Sequence, residues 1–357
     1  MGKLKADERV SIELRELYQQ YGYLPYKVSK FEEYDLYMQN KSFLESEHVL
    51  AFSDMDGKLM ALKPDITLSI IKNSRDEAEP LKVSYAETVY RVPRGAYGFK
   101  EIMQTGLEFI GEVDAYAMGE VLMLAARSLE TISADWALDI ADLSIISGVL
   151  ESEGLSGAQT AQLLSLIGEK NLHGLAAQCG AFGISETAAR QLSSLVSSFG
   201  PLEETLEKIL EMNLPPACQR GLADLSAIAG MMKVYGIRNI NLDFSVVNDM
   251  NYYSGLIFAG FIEGIPSGVL SGGRYDYLMR RMGRKNQAIG FAVYLDQLER
   301  LMDERAAYDV DVLITYGAGT AQRDIIAAAQ TATANGQSVR VQRSGDTQIR
   351  SRCRMDL

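Results

Sequence analysis

The chain has 357 residues, room for two or three domains and a substantial core, with an ordinary globular balance of 47% hydrophobic and 23% charged residues. No apolar run reaches the roughly 18–20 residues of a membrane span, and a net charge of −12 argues against a broad nucleic-acid surface. Two histidines (His48 and His173) and three scattered cysteines (Cys179, Cys218 and Cys353) do not suit a histidine triad, a multi-histidine metal site or a disulfide framework.

Residues 1–8 turn acidic at once and carry no signal-peptide core, so the expected setting is cytoplasmic and reducing. Residues 8–22 place Ile12, Leu14, Leu17 and Tyr18 at helical spacing and end at Gly22, before an extended segment at 23–26. Two strand-like runs within 49–63 flank Asp54-Met55-Asp56-Gly57, a hairpin signal. Lys63-Pro64-Asp65-Ile66-Thr67 then reads as a turn opening a helix. Strands are expected at 80–92 and 99–110 around the loop Arg94-Gly95-Ala96-Tyr97-Gly98, a helix at 114–131 and a strand at 136–146. From about 148 to 235 the chain is Leu/Ala/Ser-rich, helical and punctuated by glycines, which predicts a helical insertion. Strands resume at 239–247, 252–262 and 266–271, with a helix expected from about Gly290. A strand–helix–strand pattern follows over 309–342, and the basic tail from Arg343 pairs with nothing obvious. Strands interspersed with helices in this way predict an α+β fold. The expected division is 1–147 and 236–304 for the core, 148–235 for the insertion and 305–357 for a partial α/β segment.

Four signatures recur in a telling order. They are Met60-Ala61-Leu62-Lys63-Pro64-Asp65-Ile66-Thr67, then Tyr90-Arg91 with Met103-Gln104-Thr105-Gly106-Leu107-Glu108, then Asn251-Tyr252-Tyr253, then Ser271-Gly272-Gly273-Arg274-Tyr275-Asp276. Physically they suit an amino-acid pocket. Asp65, Thr67, Gln104 and Glu108 supply acceptors for an ammonium group, and Tyr253 and Tyr275 offer flat faces with polar tips for an imidazole. Gln104 and Glu108 are four apart on one strand, so both point to the same face. Taken singly, each position is better explained as a satisfied core or surface polar group; six in order favour a pocket.

This series resembles the catalytic domain of histidyl-tRNA synthetase over about residues 5–300. The resemblance implies a class II synthetase-like antiparallel sheet with flanking helices, and a site for free histidine made of Asp65, Thr67, Gln104, Glu108, Tyr253 and Tyr275. Arg91 survives beside it as a contact for an anionic ligand or a neighbouring carboxylate. Other positions depart from the family pattern. Asn248 stands where the synthetase has an arginine that acts on the activating phosphate, and Asn251 replaces an acid. In Gly290-Phe291-Ala292-Val293-Tyr294-Leu295-Asp296-Gln297, Gln297 stands in place of an ATP-clamping arginine and Tyr294 in place of a glycine. Each fixed cation of that kind is worth several kcal/mol of barrier, so adenylate formation is not expected and no catalytic, metal or cofactor residues are assigned. Residues 309–342 resemble only the first half of an anticodon-binding domain, which argues against tRNA recognition.

A histidine pocket without adenylation chemistry is the pattern of the ATP phosphoribosyltransferase regulatory subunits, a branch of synthetase paralogues. That resemblance implies assembly with a short-form catalytic subunit in the first step of histidine biosynthesis, feedback inhibition by bound histidine, and a homodimer within a hetero-oligomer. The N-terminal stripe and residues 31–37 are candidates for the dimer contact, with packing into the chain's own core an equal alternative. The alternative reading is an active or divergent synthetase-like amino-acid-activating enzyme.

Overall fold

The computed structural model describes residues 6–44, 48–92, 98–246, 253–300 and 308–357, so the predicted loop residues 94–97 and positions 248, 251 and 252 lie outside the described residues. The described chain divides into two compact units, Val10–Gln297 and a second made mainly of the residues from Leu298 onward.

The larger unit is built on a nine-stranded sheet. Its strand order is Leu24–Pro25, Leu81–Arg91, Lys100–Gly111, Gln287–Tyr294, Leu270–Arg274, Leu256–Ile262, Trp136–Asp142, Ile240–Asp243 and Phe199–Pro201. Only the first strand pair and the Trp136–Asp142/Ile240–Asp243 pair are parallel; the rest are antiparallel. Each long strand sends alternate residues to opposite faces. One face packs on the helix Ala115–Ile132, whose first turn is capped by Asp114 accepting from the Ala117 amide at 2.8 Å. Leu129 of that helix lies against Gly260 of the sheet, where an added Cβ would stand 2.8 Å from the leucine methyls. The N-terminal helix Ala6–Gln20 reaches the same face: Tyr18 shares a hydrogen bond with Ser128 at 2.9 Å and meets the Phe291 ring edge-on at 5.8 Å. Its buried stripe is Val10, Leu14 and Tyr18; Ile12, expected on that stripe, is 43% exposed because two residues turn it about 200° away from Leu14.

The hairpin signal at 54–57 is realised between Ala51–Ser53 and Leu59–Leu62, and the helix Thr67–Asn73 starts where the Pro-Asp turn was expected. Three other expectations are corrected. The stretch around Gly290 is a strand, Gln287–Tyr294, not the start of a helix. Ile289, Phe291 and Val293 are buried on the helix side while Gly290, Ala292 and Tyr294 take the opposite face, a period of two. The strand expected over 136–146 stops at Asp142, whose Oδ1 accepts from the Ser144 amide and hydroxyl at 2.8 and 2.5 Å and opens the helix Leu143–Leu150. The tail from Arg343 does pair: Ser351–Asp356 lies parallel to Val310–Tyr316.

Between these strands run the helices Gly157–Gly168, Leu172–Phe182, Glu186–Ser197, Leu202–Leu210 and Gln219–Tyr235. The glycines that punctuate them include three in the left-handed region, Gly154, Gly183 and Gly236, where a helix must stop without a Cβ penalty. The short strand Phe199–Pro201 within this stretch forms one edge of the main sheet. In the smaller unit, Val310–Tyr316 is flanked in parallel by Val339–Arg343 and Ser351–Asp356, and Ala328, Ala329 and Ala332 of the helix Gln322–Ala334 pack on Val312 and Ile314. No helix among the described residues is long and apolar enough to cross a membrane.

Candidate ligand-binding site

The sheet face away from the helix Ala115–Ile132 carries a cavity of about 540 Å³, and all seven predicted site residues line it: Asp65, Thr67, Arg91, Gln104, Glu108, Tyr253 and Tyr275. Strand periodicity puts them there. Lys100, Ile102, Gln104, Gly106 and Glu108 alternate onto the cavity face of one strand, and the register pairs Arg91 with Lys100, Tyr85 with Gly106 and Gly290 with Glu108. The floor is made of residues with little or no side chain. A Cβ at Gly290 would overlap the Glu108 carboxylate, and one at Gly273 would lie 2.6 Å from the Tyr253 ring. These glycines let the two groups lie directly on the neighbouring strands.

Glu108 is the centre of the site. It is buried, with Oε1 accepting from the Thr67 hydroxyl at 2.7 Å and Oε2 from the Tyr275 hydroxyl at 2.6 Å. Burial pushes its carboxyl up to about 8, against the pull of those two hydrogen bonds and with a further push from the nearby Asp65 charge. A ligand ammonium or ring N–H placed here would find an acceptor that gains charge on binding. Tyr275 and Tyr85 are both held well above the ordinary phenol range, first by burial and then by the Glu108 charge, so both remain hydroxyls able to donate.

Asp65 and Thr67 are brought in by the turn that precedes the helix Thr67–Asn73. The Asp65 Oδ1 accepts from the Leu68 amide at 2.8 Å, which closes the first turn of that helix. The turn itself is pinned from below. Lys63, fully buried, donates to Glu87 at 2.6 Å, and its carbonyl accepts from the Tyr90 amide at 2.9 Å.

Arg274 and Asp276, though within the same motif as Tyr275, are not in the cavity wall. The Arg274 Nε donates to Asp276 at 2.8 Å, and the second Asp276 oxygen accepts from the Ala288 amide at 3.2 Å, so the pair fixes the turn that aims Tyr275 at Glu108.

The opposite end of the cavity is lined by Arg91, Lys100, Tyr294, Asp296 and Gln297. The Arg91 guanidinium sits 5.7 Å from the centre of the Tyr294 ring, and the Tyr294 hydroxyl shares a 2.6 Å hydrogen bond with Ser271. Gln297 accepts from the Ser267 hydroxyl at 2.9 Å and donates to Asp296 at 3.2 Å. Gln297 is thus a neutral amide beside a carboxylate, in a wall that also carries the cations Arg91 and Lys100. Sequence reasoning did not single out Tyr85 or Lys100 as wall residues. Tyr85 was within reach, since it precedes Arg91 by six residues and so shares its strand face. Both histidines are exposed and stand outside the cavity wall.

A largely antiparallel sheet bearing an acceptor-rich cavity on one face defines a class II synthetase-type fold. The chain belongs to the histidyl-tRNA synthetase family, whose model matches residues 2–298. Within that family it is similar to the ATP phosphoribosyltransferase regulatory subunit of Alkaliphilus metalliredigens, with 28% identity over 288 residues covering 79% of this chain and 73% of that protein. Among solved structures it is similar to an ATP phosphoribosyltransferase regulatory subunit/histidyl-tRNA synthetase from Bacillus halodurans, with a TM-score of 0.81, 24% identity and coverage of 98% and 93% of the two chains. It is also similar to a chain of the ATP phosphoribosyl transferase (HisG:HisZ) complex from Thermotoga maritima, with a TM-score of 0.64, 20% identity and coverage of 82% and 98%. Those two likenesses are likenesses of fold.

Proposed function

We propose that this chain is a non-catalytic regulatory subunit of an ATP phosphoribosyltransferase, binding free histidine in the cavity around Glu108 and assembling with a short-form catalytic subunit. The observation that carries the reading is a pairing within one cavity. An intact set of acceptors and tyrosines surrounds Glu108, while at the other end, beside Arg91 and Lys100, the neutral Gln297 stands where the resemblance puts an ATP-clamping arginine, next to the carboxylate of Asp296. The names of the curated relatives support the same assignment. Histidine binding here is then a feedback signal, and its coupling to the catalytic subunit is a coupling free energy between two sites. The reading includes a homodimer within the hetero-oligomer, no tRNA partner, and a division into a core (1–147 and 236–304), a helical insertion (148–235) and a partial C-terminal segment (305–357).

The test is phosphoribosyl transfer by the short catalytic subunit from the same genome, with and without this chain, across a histidine titration. Activity that requires this chain, and that histidine suppresses for the wild type but not for Glu108→Ala, is the expected result. A chain that neither activates the subunit nor responds to histidine sinks the proposal. Histidine-dependent ATP–pyrophosphate exchange by this chain alone would replace it with the amino-acid-activating reading.

A further inference from the structure

The cavity face is a grid whose spacing limits what can lie on it. Along the strand Gln287–Tyr294, the positions facing the cavity are Gly290, Ala292 and Tyr294. Gly290 pairs with Glu108 and Tyr294 with Gln104, with Ala292 opposite Gly106 between them. On the next strand Ser271 lies opposite Ala292, and beyond it Ala259 lies opposite Ser271. The floor beside Glu108 is therefore a bare strip one side-chain repeat long. It ends at the first large side chain on that strand face, Tyr294. Four residues of extended chain put Gly290 and Tyr294 about 13 Å apart at Cα. Once the tyrosine ring and the carboxylate take their share, that leaves a length suited to one free amino acid.

Tyr294 is held in place from two sides. Its hydroxyl is bonded to Ser271 at 2.6 Å, and the Arg91 guanidinium covers its ring. Beyond the ring lie Arg91, Lys100, Asp296 and Gln297, still within the same cavity. The ring thus stands between an acceptor-rich chamber and a mixed-charge mouth.

We propose that Tyr294 is a specificity-determining partition: it closes the chamber around Glu108 at the length of a free amino acid and excludes ligands whose carboxylate bears a large substituent. This rests on the amino-acid reading of the site given above. A molecule extended through its carboxylate, such as an aminoacyl nucleoside, would have to pass through the space that the tyrosine ring fills. Rotating the ring away would cost the Ser271 hydrogen bond and the guanidinium stack together.

The test is calorimetric titration of the full chain with L-histidine and with 5′-O-(N-L-histidyl)sulfamoyladenosine, a stable conjugate that carries a nucleoside on the histidine carboxyl. Wild type is expected to bind histidine and to bind the conjugate at least about tenfold more weakly. Tyr294→Ala is expected to raise the affinity for the conjugate relative to that for histidine by about tenfold or more, whereas Tyr294→Phe, which loses the hydroxyl but keeps the ring, still excludes the conjugate. Wild type binding the conjugate as tightly as histidine overturns the partition, and needs no variant. So does a folded Tyr294→Ala whose affinity for the conjugate relative to histidine is unchanged, with Tyr294→Leu as the second variant should alanine unfold. Absence of histidine binding in wild type overturns the amino-acid reading itself, and the partition falls with it.

Discussion

A single carboxyl sets the behaviour of the site. Glu108 has an ordinary value of 4.5 and is raised to about 8 by burial, so the empty protein holds it neutral at pH 7. Because the folded value lies above the unfolded one, its contribution to stability is fully present below about pH 4.5 and is lost as pH rises through about 8. Glu108→Gln removes that loss. The variant is expected to gain melting temperature relative to wild type between pH 5 and 8, with the difference flat above that. The same substitution is expected to weaken histidine binding about tenfold or more, since a hydrogen bond to a charged group is worth about 1.5–3 kcal/mol. A glutamine variant no more stable at pH 8 than at pH 5, relative to wild type, would show that the carboxyl is ionised in the empty cavity. Ligand binding carries the opposite sign. A cationic or N–H donor beside Glu108 favours the carboxylate, so binding at pH 7 releases a proton and affinity rises towards pH 8. Titration in two buffers of different ionisation enthalpy measures that release directly, and equal heats in both would contradict it.

At the scale of elements, the lesson is where periodicity spoke and where it did not. The strand carrying Gln104 and Glu108 was legible because a run with Ile102, Met103, Leu107, Phe109 and Ile110 follows a glycine-bearing loop. The strand Gln287–Tyr294 was not, because Gly290 and Ala292 stand on the side that faces the cavity, and small residues there leave no alternation to see. Ser351–Asp356 was missed for a related reason: Arg352, Cys353 and Arg354 are all exposed, and an exposed edge strand announces itself by pairing rather than by burial. Glycines therefore divide into two kinds with opposite expectations. Gly230 lies exposed in the helix Gln219–Tyr235 with nothing within 4 Å of an added Cβ, so Gly230→Ala is expected to stabilise by about 0.5–1 kcal/mol. A Cβ at Gly290 would meet both the Glu108 carboxylate and the Leu107 carbonyl, the latter at 2.5 Å, and backbone cannot swing aside. Gly290→Ala is expected to destabilise by about 1–3 kcal/mol and to weaken ligand binding as well. Denaturant melts of the two variants decide both; a neutral Gly290→Ala would mean the sheet yields more readily than its register suggests.

For the whole molecule, the sequence motifs located the cavity better than they located its limits. Motif order brought all seven expected residues to one wall, and the family resemblance drawn from those motifs agrees with the match over residues 2–298. What could not be read was the three-dimensional consequence of a departure. Tyr294 for glycine looks in sequence like a lost motif position, yet in the fold its ring lines the cavity, tied to Ser271 and set 5.7 Å from the Arg91 guanidinium. Long-range hydrogen bonds of that kind join residues far apart in the chain, and local patterning holds no trace of them. The bare floor has a genetic consequence as well. A chamber created by omitted side chains is easily spoiled, because nearly any codon change at Gly106, Gly273 or Gly290 delivers bulk into space already claimed by a neighbour. On the feedback reading proposed above, selection for cells that overproduce histidine should enrich lesions at these floor glycines as well as at the side chains around Glu108.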